Sequence, residues 1–171
     1  MSGSETEAMI RVDQAGEYGA ARIYAVQLAV LGTRHAAARS IRHMAAQEQR
    51  HLERFNAMVA ERGVRPTLLQ PFWHVAGFAL GAVTAAIGPE AAMACTAAIE
   101  TEIDRHYGRQ LEELGEDDPE LSGAIAEFRA EELEHKATAL AEGAERAPAY
   151  PFLDAAIRLG CRVAIGLSTR I

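Results

Sequence analysis

Cysteine is nearly missing from this chain. Cys95 and Cys161 are the only two in 171 residues, and neither belongs to a Cys-x-x-Cys pair. A disulfide scaffold and a thiolate metal knot are therefore excluded, and two buried free thiols are expected. Lysine is scarcer still: Lys136 stands alone, and at a net charge of −7 no basic stripe forms, which excludes a nucleic-acid binder. Aromatic residues make up only 6% of a chain that is 49% apolar. That leaves Ala and Leu as the main core material and favours closely packed helices. Strand-like alternation is absent too, so the reading is all-α, a single domain over residues 1–171. The opening Met-Ser-Gly-Ser-Glu-Thr-Glu has neither the apolar core of a secretory signal nor the arginines of a transit peptide. The expectation is a bacterial cytoplasmic protein or a processed mature form.

What the chain does have is helical periodicity from end to end. It predicts six helices at about 6–32, 35–62, 70–87, 89–114, 118–144 and 150–168. Gly32, Gly63-Val-Arg-Pro66, Gly88-Pro89, Gly115 and Pro148 punctuate them. Pro89 fits the first turn of the helix it opens. Asp117-Asp118-Pro119-Glu120 offers a capping acid, an N1 proline and a negative first turn.

Two copies of one short pattern carry the chemistry. Glu48-Gln-Arg-His51 and Glu132-Leu-Glu-His135 each follow a lone glutamate, Glu17 or Glu100, by about 31 or 32 residues. A Glu and a His three apart point the same way from a helix. The repeat runs deeper: aligning Glu17 with Glu100 also pairs Arg22 with Arg105, Tyr24 with Tyr107, Gln27 with Gln110 and Leu28 with Leu111. A duplicated helical hairpin explains this most simply, with halves of about 6–87 and 89–171 and approximate two-fold symmetry at the site.

A charged residue on a helix usually faces water, and these do not fit that rule. Ile41, Met44, Glu48, His51, Phe55 and Met58 form one stripe, and Leu121, Ile125, Phe128, Glu132, His135 and Ala139 form another. Both Glu-His pairs sit in the middle of the face that should meet the core. Glu17 shares a face with Ile10, Tyr24, Leu28 and Leu31; Glu100 shares one with Met93, Ile103, Tyr107 and Leu114. Ionised carboxylates in a core are prohibitively unfavourable unless compensated. Arg22 and Arg105 could pair with some of them, but no cation accompanies Glu48 or Glu132 on its stripe. Two divalent metal ions would cancel four carboxylates, and four Glu with two His is the ligand set of carboxylate-bridged di-iron and di-manganese bundles. Donors of this kind suit iron or manganese better than structural zinc. Glu48 and Glu132 are expected to bridge, with Glu17 and His51 on one ion and Glu100 and His135 on the other.

Between Leu68 and Ile99 the chain is almost uncharged, Glu90 being the exception. The stretch 72–87 falls short of the ~20 residues needed to cross a bilayer. It reads either as a buried helix or dimer interface, or, preferably, as an interfacial helix meeting a membrane surface or a greasy substrate. The last helix, with Ile157, Leu159, Val163, Ile165 and Leu167, extends that surface, and Arg158, Arg162 and Arg170 would favour anionic headgroups. His35, His43 and His74 lack a second ligand at helical spacing and read as surface or interface residues.

Several stretches resemble the demethoxyubiquinone hydroxylases of ubiquinone biosynthesis: Ile10-Arg-Val-Asp-Gln-Ala-Gly-Glu-Tyr-Gly-Ala20, Gly77-Phe-Ala-Leu-Gly81, Ala92-Met-Ala-Cys-Thr96, Glu131-Glu-Leu-Glu-His135 and Gly160-Cys-Arg-Val-Ala-Ile165. The likeness extends from about Ile10 to the C-terminus. One departure is Ala8, where the family often carries Arg. The resemblance implies a ferritin-like four-helix bundle with a di-iron site, an apolar interfacial hairpin and a C-terminal helix. It implies an O2-dependent mono-oxygenase that uses two iron ions and an external reductant to hydroxylate a polyprenylated methoxy-methyl-benzoquinone. Glu17, Glu48, His51, Glu100, Glu132 and His135 match the family's metal ligands; His106, Tyr107 and Arg162 match positions that act on substrate or electron transfer. The implied setting is peripheral, on the cytoplasmic face of a bacterial inner membrane or the matrix side of the mitochondrial one. A lipid-binding accessory protein is the implied partner, and a homo-oligomer is compatible. The rival readings are a ferritin- or rubrerythrin-like protein that stores iron or reduces peroxide, and a lipid-binding scaffold.

Overall fold

In a computed structural model, residues 3–32 and 35–171 are described. They form six α-helices and no strand: α1 (Gly3–Leu31), α2 (Ala37–Glu61), α3 (Gln70–Ile87), α4 (Pro89–Leu114), α5 (Pro119–Ala141) and α6 (Tyr150–Ser168). The expected all-α class is borne out, and helix boundaries differ by only a few residues. The differences reach three residues at the start of α1 and at the end of α5. Gly143 takes a left-handed φ of 97°, and the chain tightens into one 3-10 turn, Ala144–Arg146, before α6. The punctuation works as its chemistry suggests. Gly63 (φ 66°) and Gly115 (φ 51°) end α2 and α4 in a conformation that side chains resist. Asp118 caps α5 by accepting the Leu121 amide at 3.1 Å.

Four long helices make the bundle, and their apolar stripes give its topology. One core cluster gathers Tyr24, Ile41, Met44, Met93 and Ala139; another gathers Ile10, Phe55, Tyr107, Leu121, Ile125 and Phe128. Each of α1, α2, α4 and α5 contributes to both, and the acidic positions fall between them in sequence. Read off these clusters, α1 and α5 run one way and α2 and α4 the other. Because α2 and α4 are parallel, something must carry the chain back along the bundle, and α3 does so. This is the ferritin-like arrangement.

The hairpin expected over 68–99 divides in two. In α4, Ala91 through Ala98 are all buried, because a run of small side chains lets neighbouring helices close around it. That arm is core, so the interfacial expectation is corrected for it. α3 packs on α1 through Gly77 and Gly81, where a Cβ would stand 3.2 Å from the Gly19 carbonyl and 2.6 Å from that of Ile23. Its other side leaves Phe72, Val75, Phe78, Val83 and Ile87 exposed. On α6, Phe152, Leu159, Val163 and Leu167 are exposed along one stripe. The Trp73 indole N–H donates to Ser168 Oγ at 2.9 Å, tying the start of α3 to the end of α6. Among the described residues, no helix is long and apolar enough to cross a membrane.

Candidate functional site

The middle of the bundle gathers six side chains from four helices. Glu17 comes from α1, Glu48 and His51 from α2, Glu100 from α4, and Glu132 and His135 from α5; none is more than 4% exposed. They form two sets, Glu17–Glu48–His51–Glu132 and Glu48–Glu100–Glu132–His135, in each of which one donor atom per residue lies within 4.8 Å of the others. Glu48 and Glu132 are common to both. His51 Nδ1 stands 3.4 Å from Glu17 Oε2 and 3.0 Å from Glu132 Oε1. His135 Nδ1 stands 3.4 Å from Glu48 Oε1 and 2.8 Å from Glu132 Oε2.

Whether these residues suit a metal can be judged from their unsatisfied atoms. Glu17 Oε2, Glu48 Oε1, Glu132 Oε2 and the Nδ1 atoms of His51 and His135 are all buried, and none makes an aligned hydrogen bond. Buried polar atoms are nearly always paired, so five unpaired atoms converging on one place suit a bound electrophile. The other imidazole nitrogens are occupied: His51 Nε2 meets Glu131 Oε2 at 3.0 Å, and His135 Nε2 meets Gln47 Oε1 at 3.0 Å. With Nε2 donating, each Nδ1 presents a lone pair inward, as a metal ligand requires. The donor set fits two divalent ions.

The electrostatics agree. Burial, then repulsion from Glu132, pushes Glu48 and Glu100 well above the usual carboxylate range. Burial also raises Glu17, although His51 opposes it. For Glu132 burial works upward, but the imidazoles of His135 and His51 outweigh it and hold the carboxyl at about 2. Burial should lower His51, yet Glu132 and Glu17 raise it to about 10. A proton on His51 is the positive charge this acidic pocket takes when nothing else supplies one.

Outer hydrogen bonds fasten the acids across the bundle. Tyr24 of α1 donates to Glu100 Oε1 of α4 at 3.0 Å, and Tyr107 of α4 donates to Glu17 Oε1 of α1. The two aligned tyrosines thus bind the two aligned glutamates reciprocally. Burial keeps both phenols protonated by raising them well above their ordinary value. Phe128 stacks on His51 with ring centroids 4.0 Å apart, which fixes that ring.

Other expected residues lie elsewhere. His106 is bound by Nε2 to Asp13 Oδ1 at 2.9 Å, where Gln110 also donates at 2.9 Å, one position from Tyr107. Arg162 does not enter the cluster: with Arg158 and Arg105 it surrounds the buried Glu102, at 3.0, 2.7 and 3.1 Å. Burial would raise Glu102, but Arg158 and its neighbours lower it. Arg105 is therefore taken by Glu102, and Arg22 lies over the Phe78 ring at 5.3 Å, so neither compensates the central acids. Cys95 is buried as expected, whereas Cys161 is only partly buried; both thiols are free. Asp13, Gln47 and Glu131 were not singled out from sequence. The residue preceding each paired glutamate was the available signal for the last two.

Comparison with known proteins decides the family. Residues 4–168 match the family described as "Ubiquinone biosynthesis protein COQ7". This chain belongs to that family. It is 56% identical over 162 residues to the 3-demethoxyubiquinol 3-hydroxylase of Rhodospirillum rubrum, covering 95% of this chain and 76% of that one. It is 51% identical over 175 residues to the mitochondrial NADPH-dependent 3-demethoxyubiquinone 3-hydroxylase of Homo sapiens, covering 100% and 80%. The mitochondrial 5-demethoxyubiquinone hydroxylase of Saccharomyces cerevisiae is 42% identical over 179 residues, covering 95% and 77%. The resemblance read from the sequence motifs is borne out, and the storage and peroxide readings lose their ground.

Proposed function

We propose that this chain is a mono-oxygenase that hydroxylates the ring of a demethoxyubiquinone-type quinone at a pair of iron ions. One observation carries the reading: five unpaired buried donor atoms converge between two sets of carboxylate and imidazole ligands, in a chain of this family. Glu17 and His51 would hold one ion, Glu100 and His135 the other, with Glu48 and Glu132 bridging. When bound, the iron pair supplies the O2 activation that no side chain can perform alone.

The protein's own contribution is position and exclusion. Tyr24 and Tyr107 donate to Glu100 and Glu17, leaving the second oxygens of those acids for the metals. The Ile10–Phe55–Phe128 and Tyr24–Met44–Met93 clusters close both ends of the site to water. His106 and Asp13 lie one step outside Tyr107, and we assign them to delivering electrons or protons toward Glu17. Arg162 we assign to fastening α6 to α4 through Glu102. The exposed apolar faces of α3 and α6 would rest on the membrane surface and receive the isoprenoid tail. Arg158 and Arg162 face Glu102, so Arg170, just beyond the end of α6, is the arginine left for headgroups.

Relatives named NADPH-dependent point to NADPH as the reductant to test first. Iron-loaded protein given a short-chain demethoxy-quinone, NADPH and O2 should release the hydroxylated quinone. NADPH oxidation without hydroxylated product, or tight lipid binding without turnover, would contradict the reading.

A further inference from the structure

The two imidazoles have different outer partners. His51 Nε2 faces a carboxylate, Glu131 Oε2, at 3.0 Å; His135 Nε2 faces an amide, Gln47 Oε1, at 3.0 Å. These partners occupy matching places in the repeat, each immediately before a bridging glutamate and each reaching the histidine of the opposite half. The inner ligands are alike, three carboxylates and one imidazole per set. The difference in charge lies one hydrogen bond further out.

That difference changes how strongly each imidazole donates. A carboxylate accepting from a ligating histidine makes the ring a better donor than a neutral amide does, and such partners alter metal affinity about 10–100-fold. Glu131 is itself held in place, receiving Arg50 Nη2 at 2.8 and 3.0 Å. The Arg50 side chain is 55% exposed, so water screens its charge, whereas His51 is fully buried against the acid. The repeat position matching Arg50 is Glu134, which is exposed.

Resting on the metal reading above, we infer that Glu131 is a positioning residue. Through His51 it makes the Glu17–His51 half-site the tighter of the two, so that the metals enter in order and the ion at Glu100–His135 is held more weakly. The two halves share an origin in sequence pattern but are inequivalent in use.

Anaerobic calorimetric titration of the metal-free full chain with Fe(II) tests this without reference to turnover. Wild-type protein should bind two equivalents in two resolved steps. Glu131→Gln keeps an acceptor for His51 but removes the charge; it should weaken the first step about 10-fold and bring the steps together. Gln47→Glu should tighten the second step. A Glu131→Gln protein that is folded and gives the wild-type isotherm would overturn the inference. Should that variant not fold, Gln47→Glu decides: a tighter second step supports the inference, and an unchanged one overturns it. Wild-type protein that takes up no Fe(II) would overturn the metal reading itself, and this inference with it.

Discussion

At the scale of single residues, the acids at the centre have no substitute. Glu132 touches both imidazoles and belongs to both ligand sets, so on the proposed function Glu132→Ala would remove a donor from each ion at once. We expect metal affinity to drop at least about 100-fold, and hydroxylation with it, beyond what loss of an outer partner causes. Iron content after desalting checks the first and product formation the second. Tyr107→Phe should be milder. It removes one hydrogen bond, about 1 kcal/mol of stability, and frees Glu17 to rotate, with turnover lower by roughly 10–100-fold. Wild-type turnover in that variant would show that Glu17 is held without it. The acids and histidines were legible in sequence because a charge in the middle of an apolar stripe has few explanations. Gln47 and Glu131 were not, because one residue off the stripe an ordinary polar side chain looks like solvent-facing surface. Only the neighbouring helix reveals that each meets an imidazole. Arg162 shows the opposite case: its position was marked by family resemblance, while its partner, Glu102, comes from another helix.

At the scale of elements, α3 explains most of what the sequence left open. The nearly uncharged segment 68–99 left open a choice between buried and interfacial, with the interfacial reading preferred for 72–87, and the chain resolves this by dividing the segment between α3 and the first half of α4. The small residues were the deciding signal. Ala91–Ala98 admit neighbours on every side, while Gly77 and Gly81 let one face of α3 sink onto α1 and leave the larger apolar side chains outside. Gly81→Ala would place a Cβ 2.6 Å from the Ile23 carbonyl, a clash with backbone that cannot yield cheaply. It should destabilise by about 1–3 kcal/mol. Gly160→Ala, on an exposed turn of α6 with nothing within 4 Å, should instead stabilise by roughly 0.5–1 kcal/mol. Denaturant midpoints of the two variants should move in opposite directions; a Gly81→Ala midpoint that does not fall would mean that α3 does not pack on α1 as described.

At the scale of the whole molecule, stability and metal binding are one problem. Burial raises Glu17, Glu48 and Glu100 above an ordinary value near 4.5, so the folded metal-free chain binds more protons than the unfolded chain over that interval. Stability then falls as pH rises. His51, raised from 6.5 to about 10, adds a loss in the same direction across that window. Glu132, lowered to about 2, acts the other way, but its contribution is complete once pH passes 4.5. Above that point the shifts agree: the metal-free protein should melt progressively lower from about pH 5 to about pH 8. The loaded protein, whose carboxylates are already matched by cations, should change much less. Parallel melting curves with and without metal would mean that the acids are neutralised by some other route.

On the proposed function, two bound cations hold an acid-lined interior together. The most direct measurement is the melting temperature of metal-free protein at about pH 7.5 as Fe(II) is added anaerobically. A steep rise that saturates at two equivalents per chain is the predicted result. A melting temperature indifferent to Fe(II), or one that saturates at a single equivalent, would contradict it.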